Sequence, residues 1–280
     1  MTVFGQQALA MLKARYPETA VTFRHGLIDH PLLSQPALRT LAARFSPADI
    51  EYAEGRRPPG SPLEETFSTA RSAIEILDSL NRDGTWMVMK FIEKEPGYRH
   101  LLEMLLSEIA AVAAPVSGPM ITQQGFVFVS ARSAVTPLHF DPEHNILLQI
   151  CGRKRFTVFS HEDEEIAPPQ AHERFHLGLQ NRNLEWKDRF HGRGQTFDLG
   201  PGDALHVPVM APHWVEVVEG PSISLSITWR SLWSYEEADA RGLNHLLRRS
   251  GLSPARPSRF PQRNRLKSLA YRALRRTGLV

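Results

Sequence analysis

The spacing of apolar positions changes character once along the chain, near Pro115. Before it, apolar residues recur at helical intervals. Gln6 to Arg15 is a short amphipathic run stopped by Pro17, and Pro36 to Phe45 places Leu38, Leu41 and Ala42 on one face. Arg56 to Pro62 is a loop by composition. Leu63 to Leu80 then predicts a helix with Phe67, Ala70, Ile74 and Leu77 on one side, closed by Asn81-Arg82-Asp83-Gly84. Trp86 to Ile92 is expected to be a strand. Tyr98 to Ala114 gives the clearest helix, with Leu101, Leu102, Leu105, Ile109 and Val112 as its buried stripe. All these stripes are expected to be core.

Beyond Pro115 the period shortens to that of strands separated by turns. Eight are predicted: Thr122–Ser130, Thr136–Phe140, Ile146–Cys151, Arg155–Ser160, Gln195–Leu199, Ala204–Val207, Trp214–Val218 and Ser222–Trp229. Gly152, Gly200-Pro201-Gly202-Asp203 and Glu219-Gly220-Pro221 are the expected turns. So many short strands in succession imply a double-sheet jelly roll. A polar excursion from His161 to Gly194 interrupts them, long enough to predict a lid or binding loop. Helix resumes from Tyr235 through Leu247 and again over Asn264–Arg276. The fold class is therefore α+β. Residues 1–115 form a helical flank, 116–232 a jelly-roll core carrying the 161–194 insertion, and 233–280 a helical tail.

Composition adds little except in charge. Of 280 residues, 42% are hydrophobic and 22% charged, the balance of an ordinary globular protein. The lone cysteine, Cys151, makes no internal disulfide and is expected to be buried and inert. No signal-peptide pattern opens the sequence, and the longest apolar run, Ile109 to Val116, is short for a membrane span, so a cytoplasmic location is expected. The net charge of +3 conceals a division: residues 241–280 hold 11 basic and no acidic residues, leaving 22 basic and 30 acidic in 1–240. Such a tail suits nucleic acid, an anionic membrane surface, or the acidic body of a second subunit.

The chemistry concentrates in Val135–Phe159. His139 and Asp141 are two residues apart, and on extended backbone side chains at i and i+2 share a face. Pro137 holds Thr136 extended. A third ligand is needed, and His213, which follows Pro212 at a strand entry, is the preferred candidate, with His206 also allowed by spacing. Two histidines and a carboxylate with the opposite positions open form the facial triad of non-haem Fe(II) oxygenases.

The order Thr136-Pro137-x-His139-x-Asp141, then Asn145-x₃-Gln149-x₂-Gly152-x-Lys154-Arg155, then Pro201-Gly202-Asp203-x-Leu205-x₂-Pro208 and His213, resembles the JmjC-type, cupin-like 2-oxoglutarate oxygenases. It is nearest to asparaginyl hydroxylases of the factor-inhibiting-HIF kind and covers roughly residues 85–232. The resemblance implies a double-stranded β-helix, Fe(II) on His139, Asp141 and His213, and 2-oxoglutarate and O₂ as cosubstrates. It places Lys154 and Thr136 on the distal carboxylate of 2-oxoglutarate and Asn145 beside it, with Arg230 as the other cation to consider. A buried dianion needs a fixed cation and donors in any case. It also implies dimerisation through C-terminal helices. The family's tyrosine on the preceding strand has no counterpart among Met87, Met89 and Lys90. The asparagine of its last core strand is replaced within Leu225-Ser226-Ile227-Thr228.

Three functions follow as expectations: hydroxylation of a protein, peptide or amino-acid-like substrate; hydroxylation of a small natural product; or a non-catalytic, cupin-like binding role. Of the other histidines, His144 is expected at the pocket rim and His206 inside the barrel. His161, His172, His176 and His191 are expected at solvent or facing substrate.

Overall fold

The jelly roll is built around two long strands that each replace a predicted pair. In the computed structural model, which describes residues 2–53, 72–78 and 84–278, β1 (Val21–Arg24), β2 (Ile50–Ala53), β3 (Trp86–Lys90), β4 (Ile121–Ser130) and β5 (Val135–His139) precede β6, a single strand from His144 to Val158. After it come β7 (Gln195–Leu199), β8 (Asp203–Val207) and β9, unbroken from His213 to Arg230. All pairings are antiparallel, in the order β1-β8-β6-β9-β4-β3-β2, with β5 on β9 and β7 on β6.

The predicted turns at Gly152 and at Glu219-Gly220-Pro221 are bends within paired strands. β6 and β9 pair antiparallel from His144–Trp229 to Val158–His213, and the register slips between Gln149 and Lys154, where both strands bend. The sheet thereby folds over on itself as two layers. Only glycine suits position 152: its φ is +68°, and an added Cβ would sit 2.6 Å from the carbonyl oxygens of Glu219 and Pro221.

Alternation on the strands sorts two compartments. One face carries Ile146, Leu148, Val127, Val129, Met87, Met89, Leu225 and Ile227, buried in the main core with the helices. These helices are α1 (Gln6–Arg15), α2 (Gln35–Arg44), α3 (Ala73–Asp78) and α4 (Pro96–Ser117). α4 exceeds its predicted bounds at both ends: Pro96 opens it, where a missing N–H costs nothing, and Gly118 at φ +90° ends it. By length and composition α4 is apolar enough to cross a membrane, but Leu101, Leu102, Leu105, Ile109 and Val112 lie buried in the main core. The predicted loop 56–62 and most of the helix 63–80 fall outside the described residues.

The 161–194 excursion is folded down. Ile166, before its helix α5 (Pro169–His176), and Leu184 and Phe190, after it, join Leu138, Phe140 and Met210 in a second apolar cluster. His172 is fully buried, its ring centroid 4.4 Å from that of Phe140 in an edge-on contact, contrary to the expected exposure, and His161 and His176 are half-buried; His191 is exposed. Cys151 is half-exposed, not buried.

The C-terminal helices are α6 (Leu232–Arg249), started by a Ser231/Ser234 capping box, and α7 (Arg265–Arg276). Much of the tail's charge is met by its own chain. Arg241 and Arg259 share the buried Glu237, Arg248 pairs with Glu173, Arg256 with Glu164, Arg263 with Glu236 and Arg272 with Asp239.

Candidate metal centre

Three strands and a loop bring the site together. β5 pairs with β9 so that His139 lies directly opposite His213, and their ring centroids are 4.2 Å apart. Asp141 follows two residues after His139, its backbone oxygen held by the N–H of Met210 at 2.8 Å. The carboxylate oxygen Oδ2 of Asp141 is 3.5 Å from Nε2 of His213 and 4.0 Å from Nε2 of His139. The three ligand atoms all fall within 4.8 Å of one another.

The protonation pattern is dictated by backbone. Nδ1 of His139 donates to the carbonyl of Pro137 at 2.7 Å, and Nδ1 of His213 donates to that of Ala211 at 3.0 Å. A carbonyl can only accept, so each Nδ1 keeps its proton and each Nε2 presents a bare lone pair. Burial, and then the neighbouring His213, hold His139 down at about 3; burial also lowers His213. Burial pushes the Asp141 carboxyl up, but Arg182, His139 and His213 outweigh it and hold it at about 2. Two imidazole lone pairs and a carboxylate oxygen thus converge in a buried space with no proton between them. A divalent cation fits that donor set.

Arg182 completes it. Its Nη1 donates to Asp141 Oδ1 at 2.7 Å, occupying the oxygen that faces away from the histidines. The excursion delivers it by pairing with the end of β5: Phe140 N–H donates to Arg182 O, Leu184 N–H to Leu138 O, and Asn183 bridges His139.

Across the same pocket lies Lys154, 4% exposed, its Nζ 5.3 Å from the centroid of Phe128. It has no acidic partner among the described residues, and burial brings its ammonium down to about 7. Thr136 and Asn145 line the pocket beside it, and Ser226 Oγ donates to Asn145 Oδ1 at 2.8 Å. Leu147 and Phe156 complete the floor.

The remaining sequence candidates lie elsewhere. His144 shares the parity of Ile146 and so points away from the pocket. Its ring stacks on Trp229 and is held between Tyr16 (3.0 Å) and Ser231 (2.9 Å). His206 is likewise outside the barrel, against Tyr16 and the carbonyl of Thr19, because Leu205 and Val207 take the inward positions. It is not a ligand. Arg230 bonds Ser234 and covers the Tyr235 ring, which removes it as the pocket's cation. On β3 the inward residues are Trp86, Val88 and Lys90, with Met87 and Met89 in the core behind.

The cupin-like domain family matches residues 77–234, more than half of the sequence. The chain belongs to that family. This cupin-like domain is 32% identical over 111 residues to Jumonji C domain-containing protein 5 of Drosophila melanogaster, covering 36% of this chain and 26% of that protein. It is 32% identical over 100 residues to lysine-specific demethylase 8 of Danio rerio, covering 34% and 24%. The chain thus spans about a quarter of the length of these relatives. Among solved structures, the Escherichia coli ribosomal oxygenase YcfD, in complex with cobalt and 2-oxoglutarate, superposes with a TM-score of 0.54 at 13% identity, over 99% of this chain and 68% of that one. At that identity the likeness shows the shared jelly-roll fold.

Sequence reasoning on the cupin-like motifs found His139, Asp141, His213, Lys154, Thr136 and Asn145, and the structure brings all six to one pocket. It missed Arg182, Glu143 and the aromatic wall of Trp86, Phe126 and Phe128. Period-two alternation on β3 and β4 carried the signal for the wall; nothing local to residue 182 marks it as a neighbour of Asp141.

Proposed function

We propose that the chain is a Fe(II)- and 2-oxoglutarate-dependent oxygenase that hydroxylates a protein or peptide side chain, or an amino-acid-like substrate. The observation that carries this reading is one pocket with a metal-shaped donor set at one side and an unpaired, buried lysine at the other. A metal site alone does not require Lys154. A buried cation without a counter-ion is costly, and a dianionic cosubstrate reaching from metal to lysine offsets that cost.

His139, Asp141 and His213 would hold ferrous iron on one face, leaving the rest of its coordination sphere to ligands from the pocket. Iron and 2-oxoglutarate, when bound, supply the oxidising power for inserting one oxygen of O₂ into a C–H bond. The protein's part is placement. Nδ1–H bonds to Pro137 and Ala211 fix the imidazole orientations, and Arg182 leaves a single Asp141 oxygen for the metal. Lys154 in its ammonium form would hold the far carboxylate, with Thr136 and Asn145 lining the same pocket. Trp86, Phe126, Phe128 and Phe156 keep the reacting centre dry. The names of the fly and fish relatives and of the bacterial neighbour, a Jumonji C protein, a demethylase and a ribosomal oxygenase, favour a protein substrate over a small natural product.

The test is succinate release and a one-oxygen mass increase on a panel of peptides and free amino acids, with Fe(II) and 2-oxoglutarate supplied. His139→Ala is expected to abolish both. Undiminished substrate-dependent succinate formation by that variant rejects the triad.

A further inference from the structure

The last helix is turned inside out. On α7, Ser268 and Tyr271 are the buried residues: Ser268 Oγ donates to Asp239 at 2.6 Å, and the Tyr271 ring packs where a side chain on Gly242 of α6 would stand. The helix's apolar stripe is on the opposite side. Leu266, Leu269, Ala270 and Ala273 fall at i, i+3, i+4 and i+7, one continuous face, and all four are exposed, Leu266 by 84% and Leu269 by 65%. An amphipathic helix that served only to close this fold would present that stripe inward.

Charge selects the occupant. Whereas Arg263 and Arg272 are neutralised by Glu236 and Asp239, Arg275 and Arg276 have no ion pair among the described residues, and Arg265 reaches Glu236 only at 3.9 Å with 72% of its side chain exposed. Arg265 and Arg276 flank the leucine edge of the stripe, and no acidic residue lies between 241 and 280. Pairing two α7 stripes would set these arginines against their own copies. Nucleic acid would meet leucines at the centre of the contact, where phosphate contacts want cations. A face apolar at its middle and cationic along its leucine edge matches the boundary of an anionic bilayer, with leucines among the acyl chains and guanidiniums at the headgroups.

We infer that α7 docks this protein, reversibly, on an anionic lipid surface. The helix is short and brings two large apolar side chains, so the contact is a weak one that needs both the leucines and the arginines. The proposal is independent of the pocket's chemistry.

The 280-residue chain is to be sedimented with vesicles of phosphatidylglycerol and phosphatidylcholine, and with vesicles of phosphatidylcholine alone. Binding to the mixed vesicles, at least tenfold weaker to the neutral ones and falling with salt, is expected. Leu266→Ser with Leu269→Ser, and separately Arg265→Glu with Arg276→Glu, should each lower binding by about tenfold or more. These side chains are exposed, so the melting temperature of each variant should match wild type, which separates lost docking from lost folding. Absence of vesicle binding by wild type overturns the proposal, as does equal binding to neutral vesicles. Wild-type binding that survives the leucine changes also overturns it. So does a dimer in solution that those changes convert to monomer while wild type ignores vesicles, since the stripe then belongs to a second copy.

Discussion

Arg182 Nη1 sits 2.7 Å from one oxygen of Asp141, while the other oxygen of that carboxylate faces His139 and His213. The arginine comes from the 161–194 excursion, so this segment bears on the metal centre itself and is more than a cover. Arg182→Gln should free the carboxylate to rotate and weaken Co(II) or Mn(II) binding by ~10–100-fold, read by metal titration of the apoprotein. Unchanged affinity would show that Asp141 is held by its backbone alone.

Lys154 carries a pH dependence whose sign follows from burial. Its folded value is about 7 against 10.5 for the free side chain, so the unfolded chain binds the proton more tightly. The resulting destabilisation is fully present below pH 7 and disappears as pH rises through 10.5. Lys154→Met should therefore stabilise the ligand-free protein at pH 6 by on the order of a few kcal/mol, with the gain vanishing toward pH 10.5 in denaturant titrations. The same residue predicts that 2-oxoglutarate binding at pH 8 takes up close to one proton, visible as a binding enthalpy that depends on the buffer's ionisation heat. A buffer-independent enthalpy at pH 8 would mean the lysine is already charged.

Gly152 sets the bulge that lets Lys154 turn into the pocket. With a φ of +68° and backbone oxygens 2.6 Å from any added Cβ, Gly152→Ala combines strain with overlap and should cost about 3 kcal/mol or more. Thermal melts of the variant check this; a loss within about 0.5 kcal/mol would mean the strand tolerates a different bend.

Glu237 anchors the tail to the body through Arg241 and Arg259. Burial alone pushes its carboxyl up, but Arg259 and Arg241 hold it at about 2. Its contribution is present above the ordinary value of 4.5 and is lost as pH falls toward 2. Glu237→Gln should destabilise the chain by ~3–5 kcal/mol at pH 7 and much less at pH 2, compared by denaturant unfolding. Equal effects at both values would locate the stabilisation in packing.

The sequence disclosed those parts of the site that depend on local order. His139 and Asp141 are legible because a strand puts i and i+2 on one face, and Lys154 and Asn145 because they follow on the next strand within the same motif. Strand continuity was not legible. Gly152 and Gly220-Pro221 carry the composition of hairpin turns, and only the long-range β6–β9 pairing makes them bends in unbroken strands. Facing was ambiguous wherever both sides of a strand are apolar. Met87 and Val88 look alike in sequence, and burial on two faces removes the alternation that would have separated them. His144 and His206 were misplaced for the same reason. The helices flanking the strands were found by period, whereas α5 lay unrecognised in the polar excursion, and the outward turn of the α7 stripe depends on what α6 offers it, which no window around residue 270 contains.

The pocket's central claim, one metal held by His139, Asp141 and His213 with 2-oxoglutarate spanning to Lys154, is tested most directly by anaerobic titration of the full chain with Fe(II) and 2-oxoglutarate. The expected result is a visible charge-transfer absorption that requires both additions, is lost in His213→Ala, and needs a far higher 2-oxoglutarate concentration in Lys154→Met. No such band in wild type, or the same band in His213→Ala, would contradict the account.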